Sequence, residues 1–362
     1  MKLRNILISL MMIISLSACE GEIELKTVLG NDRITINAVV DPDTVVFAFI
    51  SEATAFDYQS SLAVRADYYT YDQILAPRDR IFEYNSREEK LMLKNANAEL
   101  IVNDKDVYKM KYNSKYYTYN SEYIPKQGDN IKIRVESLSN SSTKDSEIQL
   151  EPVEAEVQLP STTPRIEVIS TELAIKEKEY YVYQVRDDYT QVHTDTYGSD
   201  TVMTIRAKIV DPGAEKNFYR LLVRSVGIPN QSYEYLQTKY RCVDDFKSGD
   251  MIFYDSDLTK SYGWLPANFS NVFDDELING KEYEITVETR MRGKCLLAEP
   301  YVILELQHLS PDLYYYLKDI EIFRISDFDL YTNPIQIWSN VKGGWGVFGA
   351  MTYDTHIIPF ER

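Results

Sequence analysis

Apolar and polar residues alternate one by one over much of this chain. Ile131, Ile133 and Val135 are separated by Lys132 and Arg134, and Val153, Ala155, Val157 and Leu159 by Glu154, Glu156 and Gln158. Met203, Ile205, Ala207 and Ile209 interleave with Thr204, Arg206 and Lys208. Tyr283, Ile285 and Val287 interleave with Glu282, Glu284, Thr286 and Glu288. A period of two puts one set of side chains on each face of a strand, so each run predicts a strand with a buried and a wet face. Repeated along a chain, the pattern predicts antiparallel sheets in a sandwich or a barrel. One stretch has a different period. Leu313, Tyr316, Leu317, Ile320 and Phe323 recur at helical spacing. Before them, Ser310, Pro311 and Asp312 supply an N-cap residue, a proline at the first helical position and an acid in the first turn. A helix is predicted near 311–324, with one apolar stripe packed on a sheet.

Turn residues punctuate the runs. Asp41-Pro42-Asp43, Gln127-Gly128-Asp129, Asp211-Pro212-Gly213 and Asn279-Gly280 each fall between apolar stretches. Asn279-Gly280 directly precedes a strand pattern, which predicts a hairpin. Pro160 and Pro164 flank Ser161, Thr162 and Thr163 and predict an exposed connector. The fold expected is therefore mostly β. An Ig-like β-sandwich covers residues 33–160, and a larger antiparallel β domain, sandwich or barrel, covers 165–362 and carries the helix. Between Thr54 and Leu93 neither period is sustained, and the segment reads as a tyrosine-rich insertion.

The N-terminus changes the picture from fold to address. Lys2 and Arg4 precede an apolar run from Ile6 to Leu16, and Leu16, Ser17 and Ala18 precede Cys19. That order of basic start, apolar middle and small residues is a secretory signal over 1–18. A cysteine immediately after it makes a lipobox, so Cys19 is the predicted lipidation site. Acyl chains anchor a protein to a membrane without spanning it. Residues 19–32 then form a tether in which Glu20, Glu22 and Glu24 read as a plain solvated linker or, by resemblance to the acidic stretch of surface-exposed lipoproteins, as a surface-export signal. The formal charge is −17, and loss of Lys2 and Arg4 with the signal takes it to −19. Such a chain repels nucleic acid, which is bound by basic stripes. Its 29 tyrosines suit sheet surfaces.

The search for chemistry returns little. Besides Cys19 only Cys242 and Cys295 are present. In an oxidising compartment they either pair as a disulfide or remain two separate buried thiols. Their long spacing, with no His beside either, is not that of a metal site. Of the three histidines, His308 is in phase with Val302, Leu304 and Leu306 and predicts an inward side chain, while His193 and His356 lie in polar surroundings. No nucleophile elbow, phosphate loop or His-Glu-x-x-His is present. Asp244-Asp245, Asp255 with Asp257, and Asp274-Asp275-Glu276 read as solvated loops and not as a calcium loop. The reading is of no catalytic residue, no cofactor and no metal. Trp264, Trp338 and Trp345 are the candidate ligand-contact aromatics, with core filling as the competing role.

The C-terminal ninety or so residues carry a resemblance. It rests on Phe273 to Lys281 before a strand, His308 to Leu317 at the helix start, Asn333 to Val341, and the closing Gly343-Gly344-Trp345-Gly346-Val347-Phe348-Gly349-Ala350. Ala96 to Leu100, Gly128-Asp129 and Val157 to Pro160 extend it upstream. The chain resembles the Bacteroidetes outer-membrane lipoprotein family catalogued as domain of unknown function 4249. Trp345 stands where that family commonly has a smaller residue, and the insertion before Leu93 fits it least. Such families are often encoded beside TonB-dependent receptors. The resemblance implies a cell-surface, lipid-anchored accessory or binding protein of the outer membrane, and it brings no catalytic residues. Two other classes compete. A fimbrial or adhesive subunit would use Arg33 before Ile34-Thr35-Ile36 as a cut site that frees a leading strand. A carboxylate hydrolase would use a pair of the clustered acids.

Overall fold

The structure is a computed structural model. It describes residues 33–53, 68–69, 92–138, 150–185, 191–213, 215–227, 240–244, 246–256, 258, 268–291, 301–326 and 337–359. In chain order the strands are β1 (Arg33–Val40), β2 (Phe47–Ala53), β3 (Tyr68–Tyr69), β4 (Ala96–Val102), β5 (Asp106–Lys109), β6 (Lys111–Asn113), β7 (Thr118–Asn120), β8 (Asn130–Ser137) and β9 (Val153–Gln158). Then come β10 (Arg165–Val185), β11 (Gln191–Val210), β12 (Phe218–Gly227), β13 (Tyr240–Asp244), β14 (Phe246–Lys247), β15 (Val272–Asp274), β16 (Glu282–Met291) and β17 (Tyr301–Leu309). Helix α1 (Pro311–Ser326) and β18 (Trp345–Pro359) complete the series.

The period-two runs form the strands they predict. Ile131, Ile133 and Val135 of β8 are buried beside Val153, Ala155 and Val157 of β9. On the wet face of the same pair Arg134 lies 3.3 Å from Glu154, and Lys132 lies 3.5 Å from Glu156. In the second half, Met203, Ile205, Ala207 and Ile209 of β11 are buried beside Ile285 and Val287 of β16. Arg206 and Lys208 meet Glu284 and Glu282 across the wet face at 3.0 and 3.1 Å. These exposed pairs help to fix register and add little stability.

The strands make three sheets. A small one runs β5-β4-β8-β9, a second runs β10-β11-β16-β14, and a large one runs β3-β13-β12-β17-β18-β1-β2-β7-β6 with β15 also on β12. The large sheet faces both small ones. Ile34, Ile36 and Ile50 of β1 and β2 pack with Leu100, Ile131, Ile133 and Val153 in one core. Tyr219, Leu221, Val223, Val302, Leu304 and Leu306 of β12 and β17 pack with Met203, Ile205 and Ile285 in another. The architecture is of the β-sandwich type, mostly antiparallel, with one helix and no closed barrel among the described residues.

Strand β18 joins the halves. Its first part, Trp345 to Ala350, pairs in parallel with β1, and its second part, Met351 to Pro359, pairs antiparallel with β17. Phe348 and Ala350 lie in the first core and Ile358 in the second. The closing glycines permit this path. At Gly346, which has φ +98°, a Cβ would stand 2.1 Å from the Ile36 carbonyl oxygen. At Gly349 it would stand 2.8 Å from Leu313 Cβ on the helix. Asn340 holds the turn before β18: its side chain donates to Phe348 O and accepts from Phe348 N, both at 2.9 Å.

Helix α1 covers one end of the large sheet, where Leu313 packs with Phe218, Val272, Leu309 and Met351. Tyr314 N donates to Ser310 O at 3.0 Å, as expected of a cap position. The Ser310 hydroxyl accepts from Ala350 N, so the cap residue also ties the helix to β18.

Candidate functional site

Most of the buried polar groups are engaged in structure. Asp211, 5 % exposed, accepts from Gly213 N at 2.9 Å, Gly280 N at 2.7 Å, the Tyr219 hydroxyl at 2.6 Å and Asn217 Nδ2 at 3.3 Å. Asp275 accepts from Asn217 N at 2.8 Å. One carboxylate thus fastens the Asp211-Pro212-Gly213 turn to the Asn279-Gly280 turn. Burial, and then the nearby Asp211, push the Tyr219 hydroxyl far above its ordinary value, so it stays a donor.

His308 points inward as its phase predicts. Its Nδ1 lies 3.3 Å from Thr162 O, and Thr352 Oγ1 donates to the same carbonyl at 2.7 Å. Burial pulls the imidazole below its ordinary value and keeps it neutral. The ring ties β17 to the 160–164 connector. His356 Nε2 lies 2.7 Å from Ile166 O, beside the start of β10. His193 falls in β11 opposite Tyr183.

The acidic clusters separate into different surroundings. Asp255 accepts from Lys318 Nζ at 2.5 Å, and Lys318 also donates to Ser270 Oγ at 3.1 Å. Glu321 lies 2.7 Å from the same hydroxyl and is pushed up by burial. This serine–lysine contact has the parts of a nucleophile, yet Ser270 is 2 % exposed and bonds Val272 through both N and O. Its geometry fastens α1 to the β15 segment. Asp274 pairs with Lys216 at 3.0 Å. A further buried group, unforeseen from the sequence, lies in β17: Gln307 donates to Glu305 at 2.5 Å, and Arg224 lies 3.7 Å from that carboxylate. Alternation puts Glu305 and Gln307 on the face opposite Leu304 and Leu306, and β17, inside the large sheet, is buried on both faces.

Two exposed aromatics, Tyr315 and Trp338, meet beside the start of α1. Phe218 stacks on Tyr314 with ring centroids 4.4 Å apart, Tyr314 meets Tyr315 at 5.4 Å, and Tyr315 meets Trp338 at 5.3 Å with the planes 45° apart. Phe218 is buried, whereas Tyr315 is 43 % and Trp338 42 % exposed. The ladder therefore runs from the core to solvent. Its outer end is fixed. Trp338 Nε1 donates to Asp312 Oδ1 at 3.0 Å, and Trp338 N donates to Asp319 Oδ2 at 2.6 Å. Helical spacing accounts for the convergence, because Asp312, Tyr315 and Asp319 follow at three and four residues and share one face. Such a face offers flat apolar surface and carboxylate oxygen to a ligand.

Trp345 is also 42 % exposed, at the start of β18, with the Arg33 guanidinium 5.3 Å from its ring centroid. It stands apart from the α1 ladder in the contacts it makes. Trp264, Cys19 and Cys295 lie outside the described residues, as does Asp257. Cys242 is in β13 with its backbone opposite Val226. Among the described residues no group of His, Cys, Asp and Glu has the arrangement of a metal site. No helix there is long and apolar enough to cross a membrane.

One further surface is extended. β10 and β11 stay paired from Arg165 opposite Val210 out to Val185 opposite Gln191, but β16 pairs with β11 only from Thr201 to Val210. From Lys176 and Asp200 outward, no third strand joins this ribbon among the described residues. At about 3.3 Å per residue it reaches about 30 Å beyond the sheet.

A domain of unknown function, DUF4249, matches this chain over residues 23–357. No curated protein and no solved structure matches it.

Proposed function

We propose that this chain, which belongs to the DUF4249 family, is a lipid-anchored outer-membrane protein that captures a ligand without turning it over and hands it to a TonB-dependent receptor. The observation that carries the reading is the exposed Tyr315–Trp338 pair, held by Asp312 and Asp319 on a helix bolted to the sheet. A platform fixed before binding loses little entropy when a ligand arrives. The buried polar groups elsewhere in the fold support binding over catalysis. Asp211, Asp275 and Ser270 are buried and occupied by backbone partners, and His308 is neutral and tied to the connector.

Anchoring rests on the lipobox ending at Cys19, and receptor contact is the role we assign to the β10–β11 ribbon. A two-stranded ribbon is marginal in water and gains from a partner. The fimbrial alternative gains less support. Cutting after Arg33 leaves β1 whole from Ile34 onward, paired with β2 on one side and β18 on the other, so among the described residues no strand is released. Membrane fractionation and pull-down test the proposal together. The native chain should partition with the outer membrane and retain a receptor, and Cys19→Ser should move to the soluble fraction. Recovery of the native protein as a polymer with no receptor would favour the fimbrial subunit. Hydrolysis of a glycan or peptide that is lost on Asp255→Asn would favour an enzyme.

A further inference from the structure

We infer that the Tyr315–Trp338 platform binds an organic cation, the guanidinium of an arginine-bearing peptide. The inference rests on the capture reading and names its ligand class. The first argument is charge. Asp312 holds the indole N–H and Asp319 the main-chain N–H of Trp338, and among the described residues no lysine or arginine forms an ion pair with either. The neighbouring acids are matched, Asp274 by Lys216 and Asp255 by Lys318. The negative charge left at the platform lies beside two exposed aromatic rings, whose faces attract cations. Burial pushes the Asp319 carboxyl up, and the hydrogen bond from the Trp338 N–H opposes that.

The second argument is hydrogen-bond inventory. The indole N–H is spent on Asp312 and the Trp338 backbone N–H on Asp319. Apart from the Tyr315 hydroxyl, the platform presents π faces and carboxylate acceptors. It is complementary to a ligand that only donates. A guanidinium has five N–H donors and no acceptor, and it is flat enough to stack on a ring. A sugar brings hydroxyl acceptors that find few donors here. An anion meets two carboxylates.

The third argument is rigidity. Each acid sets one coordinate of Trp338, and Tyr315 is braced from behind by Tyr314 and Phe218. A guanidinium entering between ring and carboxylate meets a surface already in place. Lys318 directly precedes Asp319 in the helix but is turned to Asp255 and Ser270, and Lys216, 5.5 Å from the Phe218 ring centroid at the inner end of the ladder, is paired with Asp274.

Calorimetric titration of the full chain in detergent with a blocked tri-arginine peptide tests this directly. Tri-citrulline serves as the neutral isostere, and maltohexaose as the sugar. Tri-arginine should bind in a salt-sensitive manner, and tri-citrulline and maltohexaose should not. Asp312→Asn with Asp319→Asn keeps an acceptor for both Trp338 N–H groups while removing the charge. That double variant should weaken tri-arginine about tenfold or more. Trp338→Ala should weaken it similarly, with an unchanged near-ultraviolet dichroism outside the tryptophan bands. Glu136→Gln with Glu151→Gln removes the same charge at exposed sites elsewhere and should leave binding intact. Equal loss in that control, or undiminished binding in the aspartate variant, would overturn the site in favour of general attraction to an acidic protein. Maltohexaose binding that survives the aspartate changes and is lost on Trp338→Ala would reassign the platform to sugars. No tri-arginine binding would also overturn it, while membrane fractionation and receptor pull-down would still stand or fall on their own.

Discussion

At the scale of single residues, the buried side chains are the ones whose loss has a calculable sign. His308 is held neutral in a site where Thr162 and Thr352 converge. Its folded value lies below the ordinary 6.5, because burial disfavours the imidazolium. Below 6.5 the unfolded chain therefore binds a proton that the folded chain does not. Stability falls as pH drops from 6.5 toward the depressed folded value, and is unaffected by this group above 6.5. His308→Gln retains a donor for the Thr162 carbonyl and has no proton to take up. Urea unfolding from about pH 7.5 to about pH 5 should show the wild type losing stability relative to the variant on acidification. Parallel pH profiles would remove the buried, neutral histidine from the account. At the same scale Gly346 shows what a motif residue can mean. Read from the sequence, the closing glycines permit tight turns and close backbone approach. The structure adds that a Cβ at 346 would stand 2.1 Å from the Ile36 carbonyl oxygen, so the glycine is required by the parallel pairing of β18 with β1.

At the scale of elements, the β10–β11 ribbon and helix α1 play opposite parts. The helix is integrated: Leu313 enters a core, Lys318 reaches Asp255, and Ser310 bonds β18. The outer ribbon has no third strand beside it among the described residues, since the pairing of β16 with β11 ends at Met291 opposite Thr201. Replacing residues 177–199 by an Asn-Gly turn should therefore change folding stability by only about 0.5 kcal/mol. The same change should abolish receptor co-purification if the ribbon is the docking element. A large loss of stability would mean that the ribbon is part of the fold. Retained co-purification would place docking elsewhere. The alternating Lys176, Glu177, Lys178 and Glu179 suit an edge that must avoid indiscriminate strand pairing.

At the scale of the whole molecule, the last strand decides what can fold alone. Residues 33–160 contain all nine strands from β1 to β9, yet β1 is open on one side without β18. Phe348 and Ala350 fill the core of that half, and Asn340 reaches the Glu156 carbonyl at 3.3 Å. A fragment of residues 20–160 should lack a cooperative unfolding transition by circular dichroism, because its central strand edge and core would face water. Adding a peptide spanning 337–359 should restore the transition. A fragment that unfolds cooperatively without the peptide would show that β18 contributes less than its pairing implies.

The sequence by itself determined the local structure. A period of two fixes which side chains share a face, and so Ile131, Ile205 and Ile285 could be placed in cores and Glu284 on a wet face without coordinates. Ser310-Pro311-Asp312 and the apolar spacing after it determined α1 for the same reason, since capping and helical phase are set by near neighbours. The tertiary structure decided what depends on distant partners. It buried Glu305 and Gln307 by placing β17 mid-sheet, carried β18 into both cores, and joined Asp211 to Gly280 across two turns. It also selected among the exposed aromatics. Trp338 and Trp345 are equally exposed, but among the described residues Trp338 is the one that meets a second exposed ring and two carboxylates, because it lies against the face of α1 that carries Asp312, Tyr315 and Asp319. Alternation carries no information about such a return, since residues 312 and 338 converge only once the helix and the final strand are docked on one sheet.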